Sequence, residues 1–452
     1  MPKRKARAAA AAAVAVANEA GGGGTAASPA ACPSRAGNAA PGLPTVVLDE
    51  ATARLHNSQL LTATYSLETA ATTDIWDLPE RAEQLITRAR ALCSQAAAVA
   101  EMLEVHQVAT DAEIARVTSA GYRQHLRTKV QGVEAQGGDD AFLDRDQTTA
   151  LTTSSEQCAR HAAGCVLAAA RRAFGAAAAA EPNASRRAFA LCRPPGHHNG
   201  CTEALETMFD VEAGTAGNFV DGCHGGESCW RCWCFCAASA AADASIAGCI
   251  YNSVAMAVQA LRASEEHGKP RAFRPKRGDG SPGYSSSSGL AERLVVLDVD
   301  AHAGDGTALQ FWFEPAVLTI SIHWDQTRGG HDMYPFMQGA AGEVGGEGAE
   351  GSNINLPLPD GAPDGAFAAA VAAAVAKIKA FGPTGIFVAC GFDALDEDES
   401  SQLRLTPVAF GGAVAALVGE FAACPLVLSL EGGYTTGRMA DAFEAVVRAM
   451  GD

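Results

Sequence analysis

Two carboxylates and an imidazole alternate along one segment, at Asp298, Asp300 and His302. Alternate side chains of an extended strand share one face, so all three groups point the same way as the strand enters a loop. Such a group is unfavourable unless a cation or a proton compensates its charge. Asp300, His302 and Asp393, which follows another apolar segment, match the three-ligand pattern of a catalytic zinc site with an open position. An Asp-capped turn beside a hydrogen-bonded histidine is the structural alternative.

A metal-activated water needs a base, and His197 and His198 offer two imidazoles after a Pro-Pro-Gly turn. Tyr434 follows two glycines, Gly432 and Gly433, which allow the backbone to approach closely. Its phenol can donate a hydrogen bond to a developing oxyanion. Each motif alone also fits a structural role, and only the combination indicates catalysis.

These residues follow short apolar runs that alternate with helical segments. Fully apolar strands separated by helices are typical of a parallel sheet covered on both faces, and such sheets bind ligands beyond the carboxyl ends of their strands. We predict strands at 188–192, 294–297, 317–322, 385–389 and 426–430, and helices at 79–92, 159–180, 254–263, 366–380 and 407–422. The sequence therefore predicts an α/β fold with its polar chemistry at one edge of the sheet.

The charge of the chain indicates which partners to expect. The formal net charge is −17 at pH 7, and an acidic surface repels a phosphate backbone, so we expect no direct nucleic-acid binding. The same field favours a cationic substrate such as a lysine-rich tail or a polyamine. No apolar run is long enough to span a bilayer, so we expect no membrane association.

The 14 cysteines do not resemble a secreted disulfide scaffold. Several are isolated within apolar segments, namely Cys165, Cys192, Cys249 and Cys390. No secretory signal peptide is recognised before them. We therefore expect buried free thiols in a reducing compartment.

The chain divides into a tail and one domain. Residues 1–44 are basic, almost free of acids and rich in Ala, Gly, Ser and Pro, a composition that cannot bury a core. This tail suits a transit peptide for the chloroplast or mitochondrion. A nuclear signal at Lys3-Arg4-Lys5-Ala6-Arg7 and a plain disordered tail are the alternatives, with nucleus or cytoplasm as the location. Residues 45–452 are expected to form a single domain with insertions at 200–246 and 265–289.

The motifs together resemble the superfamily of histone deacetylases and acetylpolyamine amidohydrolases, in its class II and bacterial-type branch. The resemblance covers about Leu78 to Val447. It is carried by Leu78-Pro-Glu-Arg-Ala82, Phe189-Ala-Leu-Cys-Arg-Pro-Pro-Gly-His-His198, Cys249-Ile-Tyr-Asn-Ser-Val-Ala255, Leu297-Asp-Val-Asp-Ala-His-Ala-Gly-Asp-Gly-Thr307, Tyr334-Pro-Phe336, Asn353-Ile-Asn-Leu-Pro-Leu-Pro359, Gly391-Phe-Asp-Ala394 and Leu430-Glu-Gly-Gly-Tyr434. It implies an arginase-like α/β fold.

The resemblance also implies a role for each site residue. The zinc ligands would be Asp300, His302 and Asp393, and the paired histidines would be His197 and His198, oriented by Asp298 and Asp305. Tyr434 would be the oxyanion donor, and the substrate tunnel would be lined by Tyr334, Gly248, Gly432 and Gly433. A structural potassium ion would be bound by Asp298, Asp300, His302 and Ser321. The implied activity is zinc-dependent hydrolysis of the acetyl amide of acetyl-lysine in proteins. An acetylpolyamine or other small-molecule amide is the alternative substrate, and a catalytically impaired scaffold is the alternative of another class.

The chain departs from the family pattern at three places. Ala303 replaces a histidine that is not a ligand, and Gly248 replaces the aromatic residue of one tunnel wall. The insertion at 200–246 is long, and three interpretations stay open: a structural zinc site, a solvated loop, or a gene-model error such as a translated intron. The zinc site would use Cys223, His224, Cys229, Cys232, Cys234 and Cys236. At the tunnel rim, Ser400 aligns with the gatekeeper position, and Asp144 or Asp146 could gate the substrate.

Overall fold

Ten short strands are present in the part of the chain that the structure describes. They are β1 (Thr45–Leu48), β2 (Glu101–Glu104), β3 (Ala141–Phe142), β4 (Ala150–Leu151), β5 (Arg187–Leu191), β6 (Leu294–Asp298), β7 (Val317–Trp324), β8 (Asn353–Leu358), β9 (Gly385–Cys390) and β10 (Leu426–Leu430). Eight of them form one sheet in the order β2-β1-β5-β10-β9-β6-β7-β8, and every pair in it is parallel. The predicted central parallel sheet is therefore confirmed.

The structure, a computed structural model, describes residues 42–50, 79–95, 97–136, 141–143, 149–175, 185–200, 247–265, 293–326 and 339–451. All of them belong to one compact unit, Cys32–Asp452. Its helices are α1 (Pro79–Cys93), α2 (Asp111–Ile114), α3 (Ala120–Ala135), α4 (Ser155–Phe174), α5 (Ser253–Glu265), α6 (Asp305–Phe311), α7 (Asp364–Phe381), α8 (Pro407–Glu420) and α9 (Thr436–Gly451).

Alternate strand residues enter two separate cores, one on each face of the sheet. In β1, Val46 and Leu48 pack in the cluster that contains the buried sides of α1, α7, α8 and α9. Val47, between them, belongs to the cluster formed with α3, α4 and α5. Since successive side chains of a strand point to opposite faces, apolar residues at every position bury both faces at once. Helices cover both faces, as predicted.

The predicted strands agree with β5, β6, β7, β9 and β10 to within two residues at each end, and four of the five predicted helices agree equally well. The fifth was predicted at 159–180 but begins at Ser155 and ends at Phe174, where Gly175 caps it. The elements that were not predicted include strands β1, β2, β3, β4 and β8 and helices α2, α3 and α9. β2 is only four residues long and begins and ends with glutamate, which hides its apolar centre.

Several predictions fall on residues outside the described ranges. These are 1–41 of the tail, 201–246 and 266–289 of the insertions, and Tyr334, Asp144 and Asp146. Cys165, Cys192, Cys249 and Cys390 are buried free thiols, as expected. Cys424 is disulfide-bonded, so the expectation of free thiols fails at that position. None of the described helices has the length and apolar character to cross a membrane.

An aromatic cluster lies under the carboxyl ends of two central strands. The ring of Phe189, on β5, stacks on Phe392 at 6.5 Å between centroids and meets Phe443 edge-on at 5.2 Å. Phe392 also meets Phe410 edge-on at 5.3 Å. Phe189 and Phe392 are fully buried, and Phe392 immediately precedes Asp393, so this packing fixes the segment that carries Asp393.

Replacing Phe189 by alanine is expected to lower the free energy of unfolding by about 3–5 kcal/mol, because it leaves a cavity beneath the sheet edge. Urea denaturation followed by circular dichroism measures the change. Val408→Ala, at a position 74% exposed, is the control and should change stability by less than about 0.5 kcal/mol. An equal loss in both variants would contradict this account of the cluster.

Candidate metal centre

Four neighbouring strands deliver the predicted site residues to one edge of the sheet. Strands β5, β10, β9 and β6 are adjacent in that order, and their carboxyl ends lead into the segments with His197 and His198, Tyr434, Asp393, and Asp300 with His302 respectively. Because the strands are parallel, these segments emerge on the same side. The structure therefore brings residues together that lie up to about 240 positions apart in the sequence.

Asp300, His302 and Asp393 form a buried group whose ligand atoms all lie within 4.8 Å of one another. Nδ1 of His302 is 3.2 Å from Oδ1 of Asp300 and 2.9 Å from Oδ2 of Asp393. The backbone N–H groups of His302 and Ala301 donate to the two carboxylates, at 2.9 Å to Asp300 and 2.8 Å to Asp393. These bonds hold both carboxylates toward the imidazole.

The other nitrogen of His302 decides how the ring is oriented. Nε2 lies 3.1 Å from the carbonyl oxygen of Ser400, which can only accept a hydrogen bond, so Nε2 carries a proton. In the neutral tautomer, Nδ1 then presents its lone pair to two carboxylate oxygens. Three acceptors facing one point fit a cation there. Without a cation, burial opposes the charged form of His302, but Asp300 and Asp393 outweigh it and raise its pKa to about 10.

The buried charged groups around Asp300, His302 and Asp393 also favour a cation at this place. Five buried carboxylates (Asp298, Asp300, Asp305, Asp393 and Glu431) face three buried imidazoles (His197, His198 and His302). Burial and the charge of Asp300 raise the pKa of Asp393 to about 7. A buried carboxylate excess is costly, and a divalent cation among Asp300, His302 and Asp393 would compensate it. The residues present therefore fit a metal ion.

His197 and His198 are each held by one carboxylate. Nδ1 of His197 is 2.9 Å from Oδ2 of Asp298, and Nδ1 of His198 is 2.6 Å from Oδ1 of Asp305. The two rings are adjacent, with centroids 3.9 Å apart, and Nε2 of His197 is 3.7 Å from Oδ2 of Asp300. In both pairs the carboxylate at Nδ1 fixes the orientation of the ring.

The pKa values of the two imidazoles are shifted in opposite directions. Burial lowers the pKa of His197, but the carboxylates of Asp300 and Asp298 outweigh it and raise that pKa well above its ordinary value. For His198, burial and the neighbouring His197 lower the pKa to about 4. The lowered pKa favours a neutral His198, able to accept a proton, and the raised pKa favours the charged form of His197.

Two glycines permit the close approach of the strands' loops. The N–H of Gly432 donates to Oδ2 of Asp300 at 2.8 Å. A Cβ at Gly432 would lie 2.5 Å from Oδ2 of Asp393 and 2.6 Å from Oδ2 of Asp300, and one at Gly391 would collide with Asp300. Gly433 has a φ of +111°, which few other residues adopt.

Glu431 is a site residue to which sequence reasoning assigned no role. Its buried Oε2 accepts hydrogen bonds from the N–H groups of Gly196, at 2.7 Å, and His197, at 3.2 Å. Burial raises its pKa to about 7. Glu431 also lies with His197 and Cys249 in a second group of metal-ligand type. An acid directly after an apolar strand was the available signal, but its backbone partners depend on the folded loop.

The ends of the insertion at 200–246 are fixed beside the histidines. The side chain of Asn199 donates to the carbonyl of Ile250 at 2.6 Å, and that of Asn252 donates to the carbonyl of Asn199 at 3.3 Å. Gly248, predicted at the tunnel, has a φ of +81° and donates its N–H to Thr149 at 3.0 Å. A β-branched or aromatic residue would be strained there.

Tyr434 and Ser321 lie in the same edge region. The backbone N–H of Tyr434 donates to Asp398 at 2.7 Å, and the guanidinium of Arg81 lies 4.7 Å from the centre of the tyrosine ring. Oγ of Ser321 is 2.8 Å from Nδ1 of His323 and accepts from the N–H of Gly304 at 3.4 Å.

Known proteins resemble this chain in sequence and in fold. The model of the histone deacetylase domain family matches residues 77–205 and 284–450, more than half of the chain. The chain therefore belongs to the histone deacetylase domain family. The interval between the two matched segments contains most of the insertions predicted at 200–246 and 265–289.

Individual relatives include acetylpolyamine amidohydrolases and histone deacetylases. The chain is 29% identical over 259 residues to an acetylpolyamine amidohydrolase of Burkholderia pseudomallei, covering 57% of this chain and 54% of the relative. It is 29% identical over 214 residues to histone deacetylase 5 of Arabidopsis thaliana, covering 47% of this chain and 29% of that protein. The chain thus spans about half the length of the first and under a third of the second.

The fold is shared with a solved structure. The crystal structure of the acetylpolyamine aminohydrolase from Burkholderia pseudomallei superposes with a TM-score of 0.63 at 24% identity, covering 90% of this chain and 98% of that one. The predicted arginase-like α/β fold is therefore confirmed.

Replacing Gly432 by alanine is expected to push Asp300 and Asp393 apart and to weaken metal binding at least about tenfold, since the new methyl group meets both carboxylates. Competition with a chelating dye measures the affinity. Gly412→Ala is the matched control, because a Cβ at this position in α8 meets nothing within 4 Å. Unchanged affinity in Gly432→Ala would contradict the proximity of Gly432 to a metal.

Proposed function

We propose that this protein is a zinc-dependent deacetylase that hydrolyses the acetyl amide of an acetylated amine. The observation that carries the proposal is the buried set Asp300, His302 and Asp393 beside two His–Asp pairs. A three-ligand metal set with an adjacent base is the arrangement that metal-assisted hydrolysis requires. Membership of the histone deacetylase domain family supports it.

Asp300, His302 and Asp393 would hold the zinc ion. When bound, zinc polarises the acetyl carbonyl and lowers the pKa of a coordinated water. The hydrogen bond from Nε2 of His302 to Ser400 and the backbone donors to the two carboxylates keep the ligand atoms directed at one point. The structural potassium remains a proposal, with Asp298, Asp300, His302 and Ser321 as its residues.

The paired histidines would carry out the proton transfers. Neutral His198 would accept the proton of the attacking water, and its Nδ1 bond to Asp305 stabilises the imidazolium that results. His197, whose Nδ1 is 2.9 Å from Asp298, would stabilise negative charge beside it. The hydroxyl of Tyr434 would donate a hydrogen bond to the oxyanion, and an imidazolium would then protonate the leaving amine.

Acetyl-lysine in proteins is the proposed substrate, and similarity to histone deacetylase 5 supports it. Acetylpolyamine is the second candidate, because relatives named acetylpolyamine amidohydrolase align over a larger share of this chain. The net charge of −17 attracts either cationic substrate. A direct comparison of kcat/KM for an acetyl-lysine peptide and for acetylspermidine decides between them, with the peptide expected to be preferred.

The purified protein is expected to contain about one zinc per chain, and His302→Ala is expected to lose both the zinc and the activity toward either substrate. Elemental analysis and the two-substrate assay provide the measurements. His106→Ala is the control, since this side chain is 69% exposed and pairs with Asp49, which is not among the proposed zinc ligands. A wild-type protein without zinc and without activity would instead favour an impaired scaffold.

Tyr434→Phe is expected to lower kcat about 10²–10³-fold with little effect on zinc content, because it removes one donor to the oxyanion. Steady-state kinetics on the preferred substrate measures this. Tyr122→Phe removes a buried phenol that donates to the carbonyl of Ile250 at 2.6 Å and serves as the matched control. That variant should lose about 1 kcal/mol of stability and leave kcat within about threefold. Activity indifferent to Tyr434→Phe would contradict the assigned role.

A further inference from the structure

Asp398 is a buried carboxylate that receives four hydrogen bonds from two directions. Its side chain lies in the loop between β9 and α8, and the residue is only 1% exposed. Oδ2 accepts from the N–H of Tyr434 at 2.7 Å and of Thr435 at 3.2 Å. Oδ1 accepts from the hydroxyl of Ser400 at 2.6 Å and from its N–H at 3.1 Å. Hydrogen bonds to a charged acceptor are short and strong, so this carboxylate is firmly tied on both sides.

The two directions lead to two different parts of the proposed site. On one side, the bonds fix the backbone of Tyr434, whose phenol is the proposed oxyanion donor. On the other side, they fix Ser400, whose carbonyl oxygen lies 3.1 Å from Nε2 of His302. The partner of the second ring nitrogen sets the tautomer and orientation of a ligating histidine. Asp398 therefore connects the Tyr434 loop to the ring of His302 through one intervening residue.

We propose that Asp398 is a positioning residue that fixes Tyr434 and, through Ser400, His302 in one common geometry. The inference rests on the proposed deacetylase function. It assigns Asp398 no contact with substrate and no proton transfer. Its neighbour Asp396 has a different role, since it forms a partly exposed ion pair with Arg438 at 2.7 Å.

The chemistry of the carboxylate predicts how two substitutions differ. Asp398→Ala removes the acceptor for all four donors. Asp398→Asn keeps one acceptor oxygen, which the N–H groups of Tyr434 and Thr435 require because they can only donate. The amide nitrogen then faces Ser400, whose hydroxyl can turn to accept but whose N–H loses its partner. Asparagine should therefore preserve the Tyr434 side and weaken the Ser400 side.

The test combines kinetics with zinc release in the full-length, zinc-loaded protein, using whichever of the two substrates the wild type prefers. Asp398→Ala is expected to lower kcat about 10- to 100-fold with KM within about twofold, and Asp398→Asn to restore most of it. In a Tyr434→Phe background, Asp398→Ala should cost less than about threefold, because no phenol remains to be misplaced. Asp396→Ala is the matched control and should leave kcat within about twofold in both backgrounds.

Zinc release to a chelator gives the second readout. Both Asp398 variants should release zinc about tenfold faster than wild type and the Asp396→Ala control, because Ser400 no longer fixes His302. Should Asp398→Ala fail to fold, the rate of zinc release from Asp398→Asn still tests whether Asp398 fixes His302 through Ser400. The proposal is overturned if Asp398→Ala lowers kcat by the same factor with and without the phenol, or if zinc release is unchanged. A wild type inactive on both substrates would refute the proposed function instead, and the zinc comparison would still test Asp398.

Discussion

The buried excess of carboxylate at the sheet edge is the constraint on which the site depends. Asp298, Asp300, Asp305, Asp393 and Glu431 are all buried, and a buried charge is costly unless a partner compensates it. Asp298 and Asp305 each pair with an imidazole. Asp300, Asp393 and Glu431 accept hydrogen bonds from backbone N–H groups. Removing a partner would leave a buried polar group without compensation, at a cost of about 1–3 kcal/mol or more.

The parallel sheet makes that packing possible. It places four adjacent strands with their carboxyl ends together, and glycines at 391 and 432 let the following segments approach within contact of Asp300. Below them, the stacked rings of Phe189 and Phe392 provide a rigid base for Asp393. The functional groups are thus on short segments between rigid elements, an arrangement that favours precise geometry.

Much of this arrangement could be predicted from the sequence, for identifiable reasons. The alternation of Asp298, Asp300 and His302 is a period-two pattern, and apolar strands such as Leu294–Asp298 are recognisable because both faces of a parallel sheet are buried. The same reasoning failed for β2, whose glutamates and short length hide it. It also failed for β8, where Asn353 and Pro357 interrupt the apolar pattern.

The roles of Glu431 and Asp398 could not be predicted in this way. Both act on backbone N–H groups, which every residue possesses, so no residue type marks the partner. Only the folded loops show that Glu431 holds the turn before His197 and that Asp398 holds Tyr434. The resemblance to known deacetylases predicted a ligand set and paired histidines because their residue types are distinctive, whereas the partners of a backbone N–H group are known only from the folded structure.

The side-chain hydrogen bonds of Asn199 and Asn252 bear on how much the length of the neighbouring segment can vary. They join the two ends of the segment between Gly200 and Ala247 next to the paired histidines. Closing a loop between fixed ends costs only about 0.6 kcal/mol more for each doubling of its length. A change in the length of the segment between those ends therefore costs little free energy. Chains of this family could therefore differ widely in that segment and still keep the two asparagine contacts beside His197 and His198.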